Sequence, residues 1–311
     1  MRGIQAWADS IVTRETRRLR VSHETRYLYA PAVNTSWHRA HLEPSESACQ
    51  RVLSSTKTIH PHPVFEDHDT DAFGNRSWRF HQERTHAELL VRAVSEVETW
   101  YLAAEASVGN IPWEAMAARL AYTRGHPAEP ESLFAYPSPY VPRSPAFLDF
   151  SGTAFTEGRA LKEACADLTA KIYCELQYNP QSTTIHTPAQ ESLAQGSGVC
   201  QDFAHIMLAC LRSRGLAARY VSGYLLTQPA EGQPPLVGAD ASHAWVSVFM
   251  GEGHWIDFDP TNNRWGLESP GPDYVRLAIG RDYADVSPLR GVIHGGGHHR
   301  LEVGVTVTRL D

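Results

Sequence analysis

The sequence predicts an α+β fold behind an all-β N-terminal domain, and three observations carry that prediction. Between residues 17 and 105, apolar and polar residues alternate in run after run, separated by turn residues and by no helical stretch. Two later segments, 158–177 and 200–215, instead place apolar residues at the offsets of one helical face. After Gly215 the period-two pattern returns and continues to the end of the chain. Helices followed by antiparallel strands, rather than alternating with them, is the α+β arrangement.

The elements follow in order. Residues 1–16 read as a poorly ordered leader, and 17–105 as the β-rich domain. In that domain Leu19, Val21, Thr25, Tyr27 and Tyr29 alternate with Arg18, Arg20, Glu24 and Arg26, giving a half-buried strand that Pro31 should end. Further strands are expected over about 50–59, 77–83 and 86–100, with a turn at 71–76. Residues 106–150 form a connection: a short helix opened by Pro112, then a proline-rich stretch from Gly125 to Pro145 whose Phe134, Tyr136 and Tyr140 pack it down. The remaining 151–311 make the second domain with its C-terminal strands. A helix over 158–177 stops at Tyr178-Asn179-Pro180, and a polar loop spans 181–195. The second helix starts near Cys200, and strands cover 217–226, 243–250 and 254–259, the last two joined through Gly251-Glu252-Gly253. Leu301, Val303, Val305 and Val307 alternate with polar residues in a final strand.

Composition narrows the class. With 42% apolar and 20% charged residues the chain is an ordinary globular protein. A net charge of −7 without a basic block argues against nucleic acid or an anionic membrane as partner. No apolar run approaches the ~18 residues of a membrane span. The first residues lack a secretory apolar region, which points to a cytoplasmic location. The five cysteines include no CxxC pair, and Cys165/Cys174 and Cys200/Cys210 each fall too far apart along one helix to bridge, so free thiols are expected. Two metal patterns fail. Asp67, Asp69 and Asp71 alternate like calcium-loop ligands, but Ala72 and Trp78 occupy positions that need glycine and glutamate, leaving a polar surface loop. The run His294-Gly295-Gly296-Gly297-His298-His299 reads as a glycine-rich hairpin. Neither a metal nor another cofactor is expected.

The chemistry centres on Cys200. Gly196-Ser197-Gly198 delivers it to the first turn of a helix whose apolar face is Phe203, Ile206, Met207, Cys210 and Leu211 and which Gly215 stops. A thiol there sits at the positive end of the helix dipole, which favours its nucleophilic, ionised form. Such a thiol needs a base, and the base needs a third group to orient it. His243 opens one strand of the 243–259 hairpin, and Asp257 and Asp259 lie on one face of the other, so spacing leaves either acid open as its partner.

Gly-Val-Cys-Gln-Asp-Phe-Ala at 198–204, Ser-His-Ala-Trp-Val at 242–246 and Trp-Ile-Asp-Phe-Asp-Pro-Thr-Asn at 255–262 resemble the core of the transglutaminase-like superfamily, in its bacterial cysteine-protease-like branch. Residues 17–100, with Ala72-Phe73-Gly74-Asn75, resemble the β-rich region fused ahead of such cores, and residues 280–288 the segment that follows them. The resemblance implies a papain-like core, in which the cysteine-bearing helix packs on an antiparallel sheet. It also implies a triad of Cys200 as nucleophile, His243 as base and, between the two acids, Asp259 as the orienting group. The Cys200 backbone N–H would be one oxyanion donor. Tyr178 and Gln195 are candidates for the second, with Gln201 and Trp245 as auxiliary residues.

The implied activity is acyl transfer at an amide through a thioester, with a peptide or protein substrate. Hydrolysis is favoured over protein-glutamine crosslinking, because nothing in the chain suggests a second amine site. A catalytically silent binding protein is the rival from another class. The arylamine acetyltransferase reading lacks its Arg-Gly-Gly before the cysteine. The loop from Thr227 to Asp240 should border the cleft.

Overall fold

The computed structural model describes residues 15–310 except 126 and 228–241. The leader expected over 1–16 therefore lies outside the described residues apart from Glu15 and Thr16, and Thr16 already opens the first strand. Of the expected cleft loop only Thr227 is described.

The N-terminal sheet is built on one long strand, β1 (Thr16–Ala40), followed by β2 (Gln50–His60), β3 (Phe65–Thr70), β4 (Arg76–Gln82) and β5 (His86–Trp100). β1 does not end at Pro31. Its pairing with β5 breaks between Leu28 and Val33, so the proline, which has no N–H to give a ladder, sits in the irregularity and the strand resumes beyond it. The stretch around Asp67 and Asp69 is an edge strand rather than a loop. Both carboxylates lie on one face, where Arg79 reaches them at 2.6 and 3.4 Å. Alternating acids here are the charged face of an exposed edge, which discourages pairing with another chain.

The connection holds α1 (Trp113–Leu120), a 3-10 turn at Pro130–Ala135 and α2 (Pro145–Ser151), which Ser144 caps by accepting from Ala146 N. Then come α3 (Leu161–Glu175), β6 (Gln177–Tyr178), α4 (Ala189–Gln195), β7 (Ser197–Gly198) and α5 (Cys200–Ser213). α4 occupies part of what the sequence suggested was all loop. β8 (Ala218–Leu225), β9 (Ser242–Gly251), β10 (His254–Asp259), β11 (Arg264–Leu267) and β12 (Tyr274–Gly280) form an antiparallel sheet in the order β11-β10-β9-β8-β12. The β9–β10 turn uses positive φ at Gly251, Glu252 and Gly253.

After α6 (Tyr283–Val286), the chain leaves this core. β13 (Leu289–Gly295) and β14 (His298–Arg309) pair with β1, not with the second sheet in whose domain the sequence placed them. β5 and β14 flank the first half of β1, and β4 and β13 the second half. Alternation predicts a strand but not which sheet it joins. Packing decides: Val305 and Val307 enter one apolar cluster with Leu19, Val21 and Val97. The same cluster takes in α5 and the second sheet, so the two parts of the chain share a continuous core. The run at 294–299 is not the expected hairpin: β13 and β14 do not pair with each other but follow one another along β1. Gly295 and Gly296, both at positive φ, lie at the break between them, across from the irregularity of β1 around Pro31. Among the described residues no group of three or more His, Cys, Asp or Glu is placed to hold a metal, and all five cysteines are free. No helix among them is long and apolar enough to cross a membrane.

Candidate active site

α5 is the buried axle of the second half, with every residue from Gln201 to Arg212 inside. Its first turn is held from behind. Asp202 Oδ2 accepts from the Val199 backbone N–H at 2.8 Å and from the Thr183 hydroxyl at 2.6 Å, satisfying a donor at the helix start and tying down the preceding loop. Gly196 takes positive φ to end α4. Gly198 is needed for a different reason: a Cβ there would come within 2.7 Å of Asp202 Cβ and Ser192 Oγ. What reads in sequence as a flexible turn is a close-packed one.

Cys200, half-buried, opens this helix, and its Sγ lies 3.8 Å from the carbonyl oxygen of Ser242, the residue before His243. His243 is buried at the start of β9, and its Nε2 donates to Asp259 Oδ2 at 2.8 Å. That bond leaves Nδ1 as the ring nitrogen open to the thiol. Burial opposes a charge on His243, yet the Asp259 carboxylate, and after it the Cys200 sulfur, raise its pKa to about 10.

Asp259 is fully buried and heavily partnered. Its Oδ2 also accepts from Asn262 Nδ2 and the Tyr274 hydroxyl, each at 2.7 Å, while its Oδ1 accepts from Thr261 N at 2.8 Å. Burial alone would raise its pKa; His243 and the Asn262 and Tyr274 hydrogen bonds outweigh that and lower it. Tyr274 and Asn262 did not stand out in the sequence. Asn262 could have been found from its place three residues after Asp259; Tyr274 arrives from β12.

The other carboxylate on this face has a different partner. Asp257, also fully buried, accepts from Trp245 Nε1 at 2.7 Å. The Trp245 ring lies 5.5 Å from Tyr274 and 6.2 Å from His243, centroid to centroid, so it walls the imidazole. It rests on Gly223, where a Cβ would meet the ring at 2.5 Å and Val275 O at 2.2 Å. Burial raises the Asp257 pKa, with Glu268 adding to it and Arg276 and Arg219 opposing.

The auxiliary candidates divide. Parallel pairing of Tyr178 with Gly198 sets Tyr178 beside the helix start, half-exposed and edge-on to Phe203 at 6.4 Å. Gln195 is exposed and gives its amide to Glu191 of its own helix at 3.0 Å. Gln201 is buried and donates to Ile185 O at 3.2 Å, anchoring the 181–187 loop. Trp245 cannot serve as an oxyanion donor while Asp257 takes its N–H.

Residues 152–260 match the transglutaminase-like superfamily, and residues 19–98 match the bacterial transglutaminase-like N-terminal region. The chain belongs to the transglutaminase-like superfamily, a group of cysteine-type enzymes of acyl transfer. Within it, this is a member that carries the bacterial β-rich region ahead of its core. An uncharacterized protein of Mycobacterium tuberculosis is 38% identical over 307 residues, covering 95% of this chain and 94% of that one. A protein-glutamine gamma-glutamyltransferase of Pseudomonas aeruginosa is 30% identical over 131 residues, 39% of this chain and 18% of that one. The crystal structure of a "Putative Cysteine Protease" from Cytophaga hutchinsonii superposes with a TM-score of 0.71 at 20% identity, covering 95% of this chain and 91% of that chain. The fold is thus the papain-like transglutaminase core with a curled β-sheet region before it.

Proposed function

We propose that this protein hydrolyses an amide bond of a peptide or protein substrate, with Cys200 as nucleophile, His243 as general base and acid, and Asp259 as the group that orients and charges the imidazole. The observation that carries the reading is the buried His243–Asp259 pair, 2.8 Å long, beside a cysteine at the first turn of a helix. In the resting site the imidazolium stands next to the sulfur and stabilises its anionic form. The sulfur attacks the amide carbonyl carbon, and the new oxyanion faces the Cys200 backbone N–H, which as a first-turn donor has no partner within the helix. His243 gives its proton to the leaving amine as the C–N bond breaks. Water then attacks the thioester, losing a proton to His243, and the acid leaves with the thiol restored. Tyr178, half-exposed beside the helix start, borders the substrate.

The stretch shared with the Pseudomonas aeruginosa protein-glutamine gamma-glutamyltransferase favours one second reading, in which a lysine amine replaces water as acceptor. Incubation with a peptide library, with and without a primary amine, read by mass spectrometry, separates the two. New carboxyl ends support hydrolysis, and amine adducts that appear only with the amine support transfer. Iodoacetamide tests the nucleophile itself: at neutral pH Cys200 should be alkylated well ahead of the exposed Cys174. Equal rates for the two, with no product in either library arm, would leave a silent binding protein.

A further inference from the structure

β12 is the outer strand of the second sheet: β8 covers one of its edges, and among the described residues no strand covers the other. An uncovered edge exposes a row of backbone donors and acceptors. Here two side-chain amides from the N-terminal region take the place of a strand. Gln50, buried on β2, accepts from Arg276 N at 2.8 Å and donates to Arg276 O at 2.8 Å. Its amide also donates to Ser45 O at 2.6 Å, which fixes it to its own domain. Asn75, buried in the turn before β4, accepts from Ile279 N at 2.8 Å and donates to Ile279 O at 2.7 Å. Each amide reproduces the paired N–H and C=O exchange of an antiparallel ladder. The approach to β12 is held the same way: Thr99 donates to Pro272 O at 2.6 Å, and Arg17 pairs with Asp273.

β12 begins at Tyr274, and Tyr274 donates to Asp259 at 2.7 Å. We propose that the N-terminal β-region is a positioning element for the catalytic acid, with Gln50 as the residue that transmits it: Gln50 holds β12, β12 sets the Tyr274 hydroxyl, and that hydroxyl holds the Asp259 carboxylate against His243. The proposal rests on the roles given to Cys200, His243 and Asp259 above. Neither Gln50 nor Tyr274 is a catalytic residue in it; both act through Asp259.

Removing the Tyr274 hydrogen bond takes a donor from an anion, so Asp259 protonates at a higher pH. Once protonated it no longer holds the imidazolium, and the reactive state of Cys200 is lost. The titratable groups facing Asp259 are His243 from β9 and Tyr274 from β12, with Cys200 of α5 beyond His243 and Arg264 of β11 beside Tyr274. The test follows the iodoacetamide alkylation rate of Cys200 against pH, with thermal melting alongside, in wild type, Gln50→Leu, Tyr274→Phe and the double variant. The acid limb should move up by about one pH unit in each single variant. In the double it should move no further than in the larger single, because the two residues act in one chain. Arg26→Ala, on the solvated face of β1, should leave the profile unchanged. A Gln50→Leu protein that melts lower but keeps the wild-type acid limb overturns the proposal, and so do shifts that add. If Gln50→Leu does not fold, Gln50→Glu replaces it, since a carboxylate keeps the acceptor for Arg276 N but cannot donate to the two carbonyls; the same two outcomes apply. A wild-type Cys200 no faster than Cys174 is a separate result: it removes the catalytic reading itself, and this proposal with it.

Discussion

His243 reaches Asp259 diagonally across the β9–β10 hairpin. The register sets Asp257 opposite Ser247 and Phe258 opposite Val246, so the next step places Asp259 opposite Trp245 rather than His243. The same diagonal step takes Trp245 to Asp257. Two ring N–H donors on one strand thus meet two carboxylates on the next, and each acid has a separate task.

The ion pair makes stability depend on pH in a definite window. Folding raises the His243 pKa from about 6.5 to about 10, so the stabilisation it brings is whole below about 6.5 and is lost as pH rises toward 10. Asp259 is lowered, so its own contribution is present above the ordinary carboxylate range and disappears only when pH falls below that range. Thermal melts of the wild type should therefore drop between pH 6.5 and 10. Asp259→Asn should flatten that part of the curve, and a variant that keeps the full drop would show that the pair is not its source.

The two acids should separate by function. Asp259→Asn leaves His243 without its anion and should slow Cys200 alkylation at pH 7 by about 10²-fold or more, within the range that general acid–base groups contribute. Asp257→Asn still offers an acceptor to Trp245 and should change that rate by less than about tenfold. Comparable losses in both variants, read from alkylation kinetics, would contradict the division of labour.

The hairpin itself was legible in the sequence. The strands over 86–100 and 254–259 end where alternation and turn residues place them. Cys200 at a helix start followed from glycines set before an apolar helical face. The choice between Asp257 and Asp259 was not legible from spacing, because both project from one face and only the register decides which imidazole or indole each meets. Tyr274 was invisible for another reason: it comes from a strand whose ladder is irregular between Arg276 and Ala278. Trp245 carries a donor suited to an oxyanion, but its single N–H goes to Asp257, while the exposed Gln195 donates to Glu191 of its own helix. The sheet joined by β13 and β14 depends on contacts nearly 300 residues apart in the chain, such as Leu19 with Arg309, which no local pattern encodes.

Gly223 should not tolerate alanine. Its φ is unexceptional, so the constraint is space: the added methyl would sit 2.2 Å from Val275 O and 2.5 Å from the Trp245 ring. One neighbour is backbone and the other is a buried ring fixed by Asp257, so neither can yield cheaply. Gly223→Ala should cost about 1–3 kcal/mol, the range for an overpacked core, and more if Trp245 is expelled. Thermal melting measures the cost. A red-shifted tryptophan emission would report expulsion of the ring, and wild-type melting with unshifted emission would contradict the packing argument.

Asp202 should matter to stability and to reactivity together. One of its oxygens serves two donors, the Val199 N–H before the helix and the Thr183 hydroxyl of the adjoining loop. Asp202→Ala removes a cap at the helix start and should cost about 1–2 kcal/mol. Thr183→Val removes only the loop's half of the contact and should cost about 1 kcal/mol. Because both bonds converge on one oxygen, adding Thr183→Val to Asp202→Ala should cost almost nothing more. The Val199–Cys200 link is the part of the chain the cap holds, so Asp202→Ala should also slow Cys200 alkylation, while Thr183→Val leaves it near wild type. Melting temperatures for the four proteins of this cycle, with alkylation rates for each, test both statements. Additive destabilisation would show that Asp202 and Thr183 act separately.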